Sequence, residues 1–487
     1  MTRQRLSSGI PGLDIVLDGG FFQSGVYIIQ GKPGAGKTIL ANQICFAHAS
    51  QGGKAAYVTL LTESIPRMFE NLASLSFFDE SLSPDRIYYV SGFDVLETGA
   101  LQGLIRLLRA EINDQAPSIL VLDGMVSASE KAQTGTEFRK FIHELQGYAS
   151  AFQCTIFLLG TTDTESAVQA EHTMVEGLID LADTAFHTQS QRSLQVRKFR
   201  GGTYLAGRHA FTITEAGLQV FARLESLRTT PQAKVDTRKP LSTGIAGLDK
   251  LSAVGGLRSS SSTLLVGPAG SGKTTFGAQF LGASSGDSRG LFFGFNESPA
   301  EFLSNADAHG AGLSPLVANG TLEVQWHPDA ENFLDELGYR LVHAVQTGGA
   351  RRVFIDGLNG FICASIYPGR IARFLKALIS ELRRLGATSV FTIESRDGTI
   401  EGLPAAAAGL PALYDNLISL RSVENGSRIK RVLSVTKMRG CDFDDSIHEY
   451  GFGPSGLLLE AAPGNRHSPQ RAGGRDTAAG RPGDTSA

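Results

Sequence analysis

Two copies of the pattern G-x-x-x-x-G-K-[ST] constrain this chain more than any other feature. Gly31-Lys-Pro-Gly-Ala-Gly-Lys-Thr38 follows the apolar run Val26-Tyr-Ile-Ile29, and Gly267-Pro-Ala-Gly-Ser-Gly-Lys-Thr274 follows Thr263-Leu-Leu-Val266. A short apolar run closed by a glycine-rich turn reads as a buried strand. Behind the first loop, Leu40, Ile44 and Ala47 recur at helical spacing. Strand, glycine loop and helix in that order make a phosphate cradle: glycines let successive N–H groups point inward, and the helix start adds its positive dipole end. Lys37 and Lys273 are expected to reach the β- and γ-phosphates, and the hydroxyls of Thr38 and Thr274 to ligate Mg²⁺. The nucleotide-contacting residues expected are Gly34, Ala35, Gly36, Lys37, Thr38 and Ile39, then Gly270, Ser271, Gly272, Lys273, Thr274 and Thr275.

The repeat extends beyond the loops. Ser8-Gly-Ile-Pro-Gly-Leu-Asp14 returns as Thr243-Gly-Ile-Ala-Gly-Leu-Asp249, each followed by a Gly-Gly pair. At 487 residues the chain is too long for one core, and the doubled motifs divide it in two. The expected division is a first ATPase domain over 1–225, a polar linker over 226–240, a second ATPase domain over 241–462 and a disordered tail over 463–487. The linker carries prolines near both ends, and the tail has no apolar periodicity.

Hydrophobic content of 42% and charged content of 19% belong to an ordinary globular protein. No apolar run reaches the length of a membrane span, and Met1-Thr-Arg-Gln-Arg5 leads into no signal-peptide core, so a cytoplasmic location is expected. Cys45, Cys154, Cys363 and Cys441 form no C-x-x-C pair, so each is expected as a small core residue. A net charge of −3 gives no global footprint for nucleic acid.

Further signals occur in duplicate. The strand Ala55–Leu61 runs into Thr62-Glu63-Ser64, and Leu291–Phe295 runs into Asn296-Glu297-Ser298. An acid at the carboxyl end of a strand beside the one that carries the P-loop is expected where open α/β sheets place ligands, so Glu63 and Glu297 are candidates for polarising the attacking water. Ser118–Asp123 and Arg352–Asp356 are apolar strands ending in Asp-Gly, the pattern of a Walker B acid, making Asp123 and Asp356 candidate magnesium residues. A fourth strand, Thr155–Leu159 or Ser389–Ile393, ends in Thr161-Thr162-Asp163 or Glu394-Ser395. Late in each half stand Lys198-Phe-Arg-Gly201 and Lys437-Met-Arg-Gly440. Two cations at i and i+2 on a strand point the same way, which suits a clamp on charge developing during phosphoryl transfer.

With these elements in order and in duplicate, the chain resembles the KaiC family of RecA-like P-loop ATPases over about residues 5 to 460. The resemblance implies an α/β fold of two tandem RecA-like P-loop NTPase domains, each with a mainly parallel central sheet flanked by helices. It also implies ATP and Mg²⁺ as ligands and a two-tiered hexameric ring with ATP between subunits. There Lys198 and Arg200, or Lys437 and Arg439, would reach into the neighbour's site, with Phe199 and Met438 beside the nucleotide. Two departures stand out. Clock-type members carry paired glutamates after the second strand, whereas this chain has Thr62-Glu63 and Asn296-Glu297. They also carry an adjacent Ser-Thr phosphoacceptor pair ahead of the second K-M-R-G, where this chain has Pro411-Ala412.

The function expected is an ATP-hydrolysing, oligomeric switch in signalling, self-assembling and working with a signalling partner. A KaiC-type serine/threonine autokinase is the alternative, weakened by Pro411-Ala412. A RecA-like DNA motor ranks behind both, because the loops after the third and fourth strands hold few cations, Lys131, Arg370 and Arg396.

Overall fold

The computed structural model describes residues 4–161, 170–186, 189–227, 239–328, 332–426 and 428–459. Most of the expected linker, the tail, and Thr162 and Asp163 lie outside them.

Each half is built on a nine-stranded sheet. In the first half the strands are β1 (Val26–Gly31), β2 (Ala55–Thr59), β3 (Ile87–Ser91), β4 (Ile119–Asp123), β5 (Thr155–Gly160), β6 (Gly177–Phe186), β7 (Gln189–Phe199), β8 (Arg208–Thr214) and β9 (Gly217–Phe221). They lie in the order β3-β2-β4-β5-β1-β6-β7-β8-β9. The second half repeats this with β10 (Ser262–Gly267), β11 (Gly290–Gly294), β12 (Leu322–Trp326), β13 (Arg352–Asp356), β14 (Thr388–Glu394), β15 (Asn416–Asn425), β16 (Arg428–Met438), β17 (Ile447–Gly453) and β18 (Gly456–Leu459). Its order is β12-β11-β13-β14-β10-β15-β16-β17-β18. From β3 to β6, and from β12 to β15, neighbours run parallel; beyond them every pairing is antiparallel. The expected mainly parallel α/β architecture is what forms, twice.

The inner parallel strands are apolar on both faces because both faces are covered, whereas the outermost, β3 and β12, are half-exposed. Tyr27, Ile29, Tyr57, Val121 and Phe157 pack on one side with α1 (Lys37–Ser50) and α2 (Ile65–Leu72). Ile28, Val58, Leu120, Leu122 and Ile156 pack on the other with α3 (Phe93–Gln115) and α4 (Gly135–Ala151). The second half divides likewise. Leu265, Phe292 and Phe354 meet α5 (Lys273–Gly282) and α6 (Pro299–Ala308), and Val266, Phe293 and Ile355 meet α7 (Leu334–Gly348) and α8 (Ile371–Arg384).

The recurring Gly-Ile-x-Gly-Leu-Asp motif is a corner seated on the P-loop helix. Asp14 accepts from Ser8 N at 2.9 Å and Ser7 Oγ at 2.6 Å, and Asp249 accepts from Thr243 N at 2.8 Å and Ser242 Oγ at 2.6 Å. A Cβ at Gly9 would lie 2.2 Å from Ala47 Cβ of α1, and one at Gly244 2.3 Å from Gln279 O of α5. At these positive-φ glycines the motif preserves close approach.

Two expectations need correction. Of the cysteines only Cys45 and Cys154 are buried; Cys441 is half-buried and Cys363 exposed at the end of a one-turn helix. The second strand stops at Thr59, not Leu61; its last ladder bonds are Leu60 N to Asp123 O and Gly92 N to Thr59 O. Glu63 stands in a bend beyond the strand, and β4 and β5 separate that strand from the P-loop strand it was expected to lie beside.

The end of the first half docks on the second. Leu224 joins the second half's core, and Arg370 bridges Glu225 at 2.8 Å and the buried Asp335 at 2.7 Å. Removing one partner of a buried ion pair leaves a charge uncompensated and costs about 3 kcal/mol. Arg370→Ala is therefore expected to lower the denaturant midpoint of the second half by an amount of that order, and Arg370→Leu combined with Asp335→Leu to recover most of it; equal midpoints for Arg370→Ala and the parent would reject the bridge.

Candidate functional site

The two P-loops have the geometry that their glycines permit. Gly34 and Gly36 have φ of 78° and 96°, Gly270 and Gly272 of 72° and 90°. Gly36 and Gly272 are the residues immediately ahead of α1 and α5, so both helix N-termini face into the loop. Ala35 and Ser271 are buried and anchor the turn, Ser271 donating its hydroxyl to Pro268 O at 2.8 Å. Lys37 Nζ donates to Gly31 O at 2.8 Å and Lys32 O at 3.0 Å; Lys273 Nζ donates to Gly267 O at 2.9 Å and Pro268 O at 2.8 Å. Burial pulls both ammonium groups below the ordinary lysine range, opposed by Asp123 in one case and by Glu394 and Asp356 in the other. Ile39 and Thr275 follow at half-buried positions of α1 and α5.

The expected hydroxyl and carboxylate pairs are brought together. Thr38 Oγ1 donates to Asp123 Oδ2 at 3.1 Å, and Thr274 Oγ1 to Asp356 Oδ2 at 2.8 Å. Each acid has a further hydroxyl donor that motif reading missed, and the donor differs. Tyr57 on β2 donates to Asp123 Oδ2 at 2.7 Å; Thr392 on β14 donates to Asp356 Oδ1 at 2.6 Å. By strand register Phe292 takes the place of Tyr57, and Leu159 that of Thr392. The hydroxyl reaches the acid from one neighbouring strand in the first half and from the other neighbouring strand in the second. A polar residue inside an otherwise apolar strand was the available signal.

Burial drives the carboxyls of Asp123 and Asp356 above their ordinary range, while the hydroxyl donors and the P-loop lysine pull the other way. Buried carboxylates beside a threonine hydroxyl form the hard oxygen donor set that suits Mg²⁺ completed by water and phosphate.

Glu63 and Glu297 differ in setting. Glu63 is exposed and accepts from Asn71 Nδ2 at 2.9 Å. Glu297 is half-buried in a cavity of about 180 Å³ lined by Thr274, Thr275, Gln279, Asn305 and His309. Burial pushes its carboxyl up, and Asp356 adds to the effect.

The K-x-R pairs point one way, as their spacing demands. Lys198 Nζ donates to His172 O at 2.9 Å and Thr173 O at 2.6 Å, and Arg200 reaches the same Thr173 O at 2.7 Å. Lys437 Nζ donates to Tyr414 O at 2.6 Å, and Arg439 to Ala412 O at 3.4 Å. The residue between the cations faces inward. Phe199 is buried and stacks on Phe22 at 5.3 Å, and Met438 is buried in the second core, so any role at a nucleotide falls to their main chain.

These pairs lie at the wrong edge of the sheet for their own P-loop. Phe199 is opposite Gly177, which is opposite Tyr27, and four residues of β1 at about 3.3 Å each put roughly 13 Å between that level and Gly31. Met438, Asn416 and Thr263 repeat the arrangement against Gly267.

A further duplicated residue escaped the motif reading. Glu176 Oε2 accepts from Val26 N at 2.9 Å, its N–H bonds Val26 O, and its carbonyl accepts from Arg200 N. Asp415 does the same between Ser262 and Arg439. An acid at one fixed distance ahead of the K-x-R lysine in both halves was the available signal. It ties the start of the P-loop strand to the cationic pair.

Doubly wound sheets with P-loops at the carboxyl ends of their parallel strands, each beside a buried Asp from the next strand but one, define a tandem P-loop NTPase. The sequence model of the family described as "ATPase: KaiC" matches residues 6–225 and again 241–461, and the chain belongs to that family. It is similar to the circadian clock oscillator protein KaiC of Picosynechococcus sp., 23% identical over 94% of this chain and 90% of that protein. It is also similar to the protein of that name from Rippkaea orientalis, 24% identical over 94% and 89%, and to the circadian clock protein KaiC3 of Synechocystis sp., 24% identical over 94% and 92%.

Asp356 yields a sign-definite prediction. Its folded carboxyl holds a proton more tightly than in the unfolded chain, so its contribution to stability is full below the ordinary carboxyl pKa of about 4 and is lost as pH rises through the folded value. At neutral pH without Mg²⁺ the ionised group is a net cost. Asp356→Asn is expected to raise the melting temperature there and to lose the stabilisation Mg²⁺-nucleotide gives the second half. Scanning calorimetry with and without the ligand reads both, and a lowered melting temperature without ligand would contradict the account.

Proposed function

We propose that this chain is a Mg²⁺-dependent ATPase whose sites are completed between subunits, working as a nucleotide-dependent oligomeric switch. The observation that carries this reading is the direction of β7 and β16, which puts each K-x-R pair at the sheet edge opposite its own P-loop. Cations aligned on one face but remote from their own phosphates fit a neighbour's site.

In this reading the N–H groups of Gly34 to Thr38 and Gly270 to Thr274 bind the phosphates, with Lys37 and Lys273 on the β- and γ-oxygens. Thr38 with Asp123, and Thr274 with Asp356, hold the cation, which when bound offsets phosphate charge. Glu63 and Glu297 orient the water for in-line attack and draw off its proton. Lys198 and Arg200, or Lys437 and Arg439, from an adjoining subunit stabilise charge on the transferred oxygens. A ring, a hexamer by resemblance, follows from head-to-tail completion of sites. Domain boundaries at 225, 240 and 462 and a cytoplasmic setting belong to the same proposal; among the described residues no helix is long and apolar enough to cross a membrane.

The relatives' names speak of a circadian clock, and a signalling role here is inferred from that likeness. Two charges support a switch over a DNA motor. Of the cations in the loops after the third and fourth strands, Lys131 pairs with Glu97 at 2.6 Å and Arg370 is held by Glu225 and Asp335. The kinase alternative gains nothing at Pro411-Ala412, whose carbonyls receive Lys437 and Arg439.

Glu63→Gln together with Glu297→Gln is expected to reduce phosphate release at least 100-fold, the scale of a general base, while ATP affinity stays within a few-fold. Full turnover in the double variant would reject the glutamate role.

A further inference from the structure

Within the stretch from Glu63 to Leu72, set against Glu297 to Ala306, the two halves are identical at only three positions: the glutamate, the serine after it, and Asn71 or Asn305. The serine stands at the N-cap of α2 and α6, where the Ser298 side chain accepts from Glu301 N. The asparagine sits two turns further along, at an exposed position of the helix in both halves, where helix propensity offers no reason for asparagine. Its contact supplies the reason. Asn71 Nδ2 donates to Glu63 Oε1 at 2.9 Å, and Asn305 lines the same cavity as Glu297, where its amide pulls the Glu297 carboxyl pKa down.

We propose that Asn71 and Asn305 are positioning residues that fix Glu63 and Glu297 for the attack of water; the inference rests on the ATPase reading above. Glu63 folds its side chain back along the helix to meet the amide, which selects one rotamer from many. In the second half Glu297 Oε2 makes no hydrogen bond among the described residues, which leaves an acceptor for the water.

The amide also answers an electrostatic problem. Glu297 is faced by Asp356 of β13, by Glu301 of its own helix, and by His309, Thr274, Thr275 and Gln279 around the cavity. Burial and the charges of Asp356 and Glu301 favour the protonated carboxyl, and a protonated carboxyl cannot accept a proton from water. The Asn305 N–H favours the anion. Losing that donor therefore moves the acid limb of turnover to higher pH.

The test uses the full-length protein with Lys37→Ala, so that turnover reports the second half. Asn305→Leu is expected to lower kcat about tenfold, the scale of one charge-assisted hydrogen bond, with KM for ATP within twofold and the acid limb of kcat displaced upward. Asn305→Gln, which keeps the donor, is expected to restore most of kcat and the parental limb. A fluorescent ATP analogue binding each variant with parental affinity shows that the fold is intact, and Asn71→Leu with Lys273→Ala must lower kcat in the first half likewise. Parental kcat and limb in the leucine variants, or a glutamine variant as poor as leucine, overturns the proposal. Should the Glu63→Gln and Glu297→Gln chain retain turnover, the glutamate role falls and the asparagine role with it; should that chain be dead while the asparagine variants run normally, only the asparagine role falls.

Discussion

The reversal of chain direction after the sixth strand of each sheet is the constraint on which the rest depends. Parallel strands deliver every motif of the cradle to one edge: the glycine loop after β1, Glu63 beyond β2 and Asp123 at the end of β4. β7 then runs back, so Lys198 and Arg200 finish at the other edge. No side-chain rotation closes a gap set by the length of a strand. Each half thus carries a cradle and a cationic pair held apart by the length of its own P-loop strand. Glu176 and Asp415 bind each pair to the start of that strand, so its displacement would be felt by the cations.

The duplicated halves have diverged where Asp123 and Asp356 are supported. Tyr57 serves Asp123 from one side, and Thr392 serves Asp356 from the other. Thr392 also accepts from Gly357 N at 2.8 Å, tying the acid to the turn that follows it, whereas the Tyr57 hydroxyl is kept protonated well above its usual range by burial first and by Asp123 second. With Glu63 in the open and Glu297 in a cavity, equal chemistry in the two halves is not what these surroundings favour.

Much of the fold was legible because the inner parallel strands read as unbroken apolar runs, several ending in a motif residue; the outermost, β3 and β12, carry mixed polar residues and were not read. The cradle, the Asp-Gly acids and the shared face of the K-x-R cations follow from spacing alone. What sequence reading missed are partners whose signal is a polar residue with no local pattern, Tyr57, Thr392, Glu176 and Asp415, since a long-range hydrogen bond leaves no trace in periodicity. Glu63 was expected at a strand end and stands four residues beyond it, in the bend that follows Thr59. Phe199 and Met438 were grouped with the cations by position, yet alternation along a strand turns them into the core.

Mixing two inactive chains tests most directly whether the sites are shared. One chain would carry Lys37→Ala with Lys273→Ala and keep its cationic pairs; the other would carry Lys198→Ala, Arg200→Ala, Lys437→Ala and Arg439→Ala and keep its cradles. Shared sites predict that co-assembled oligomers recover ATP turnover that neither chain has alone. Mixed oligomers that form and remain inactive would contradict the account.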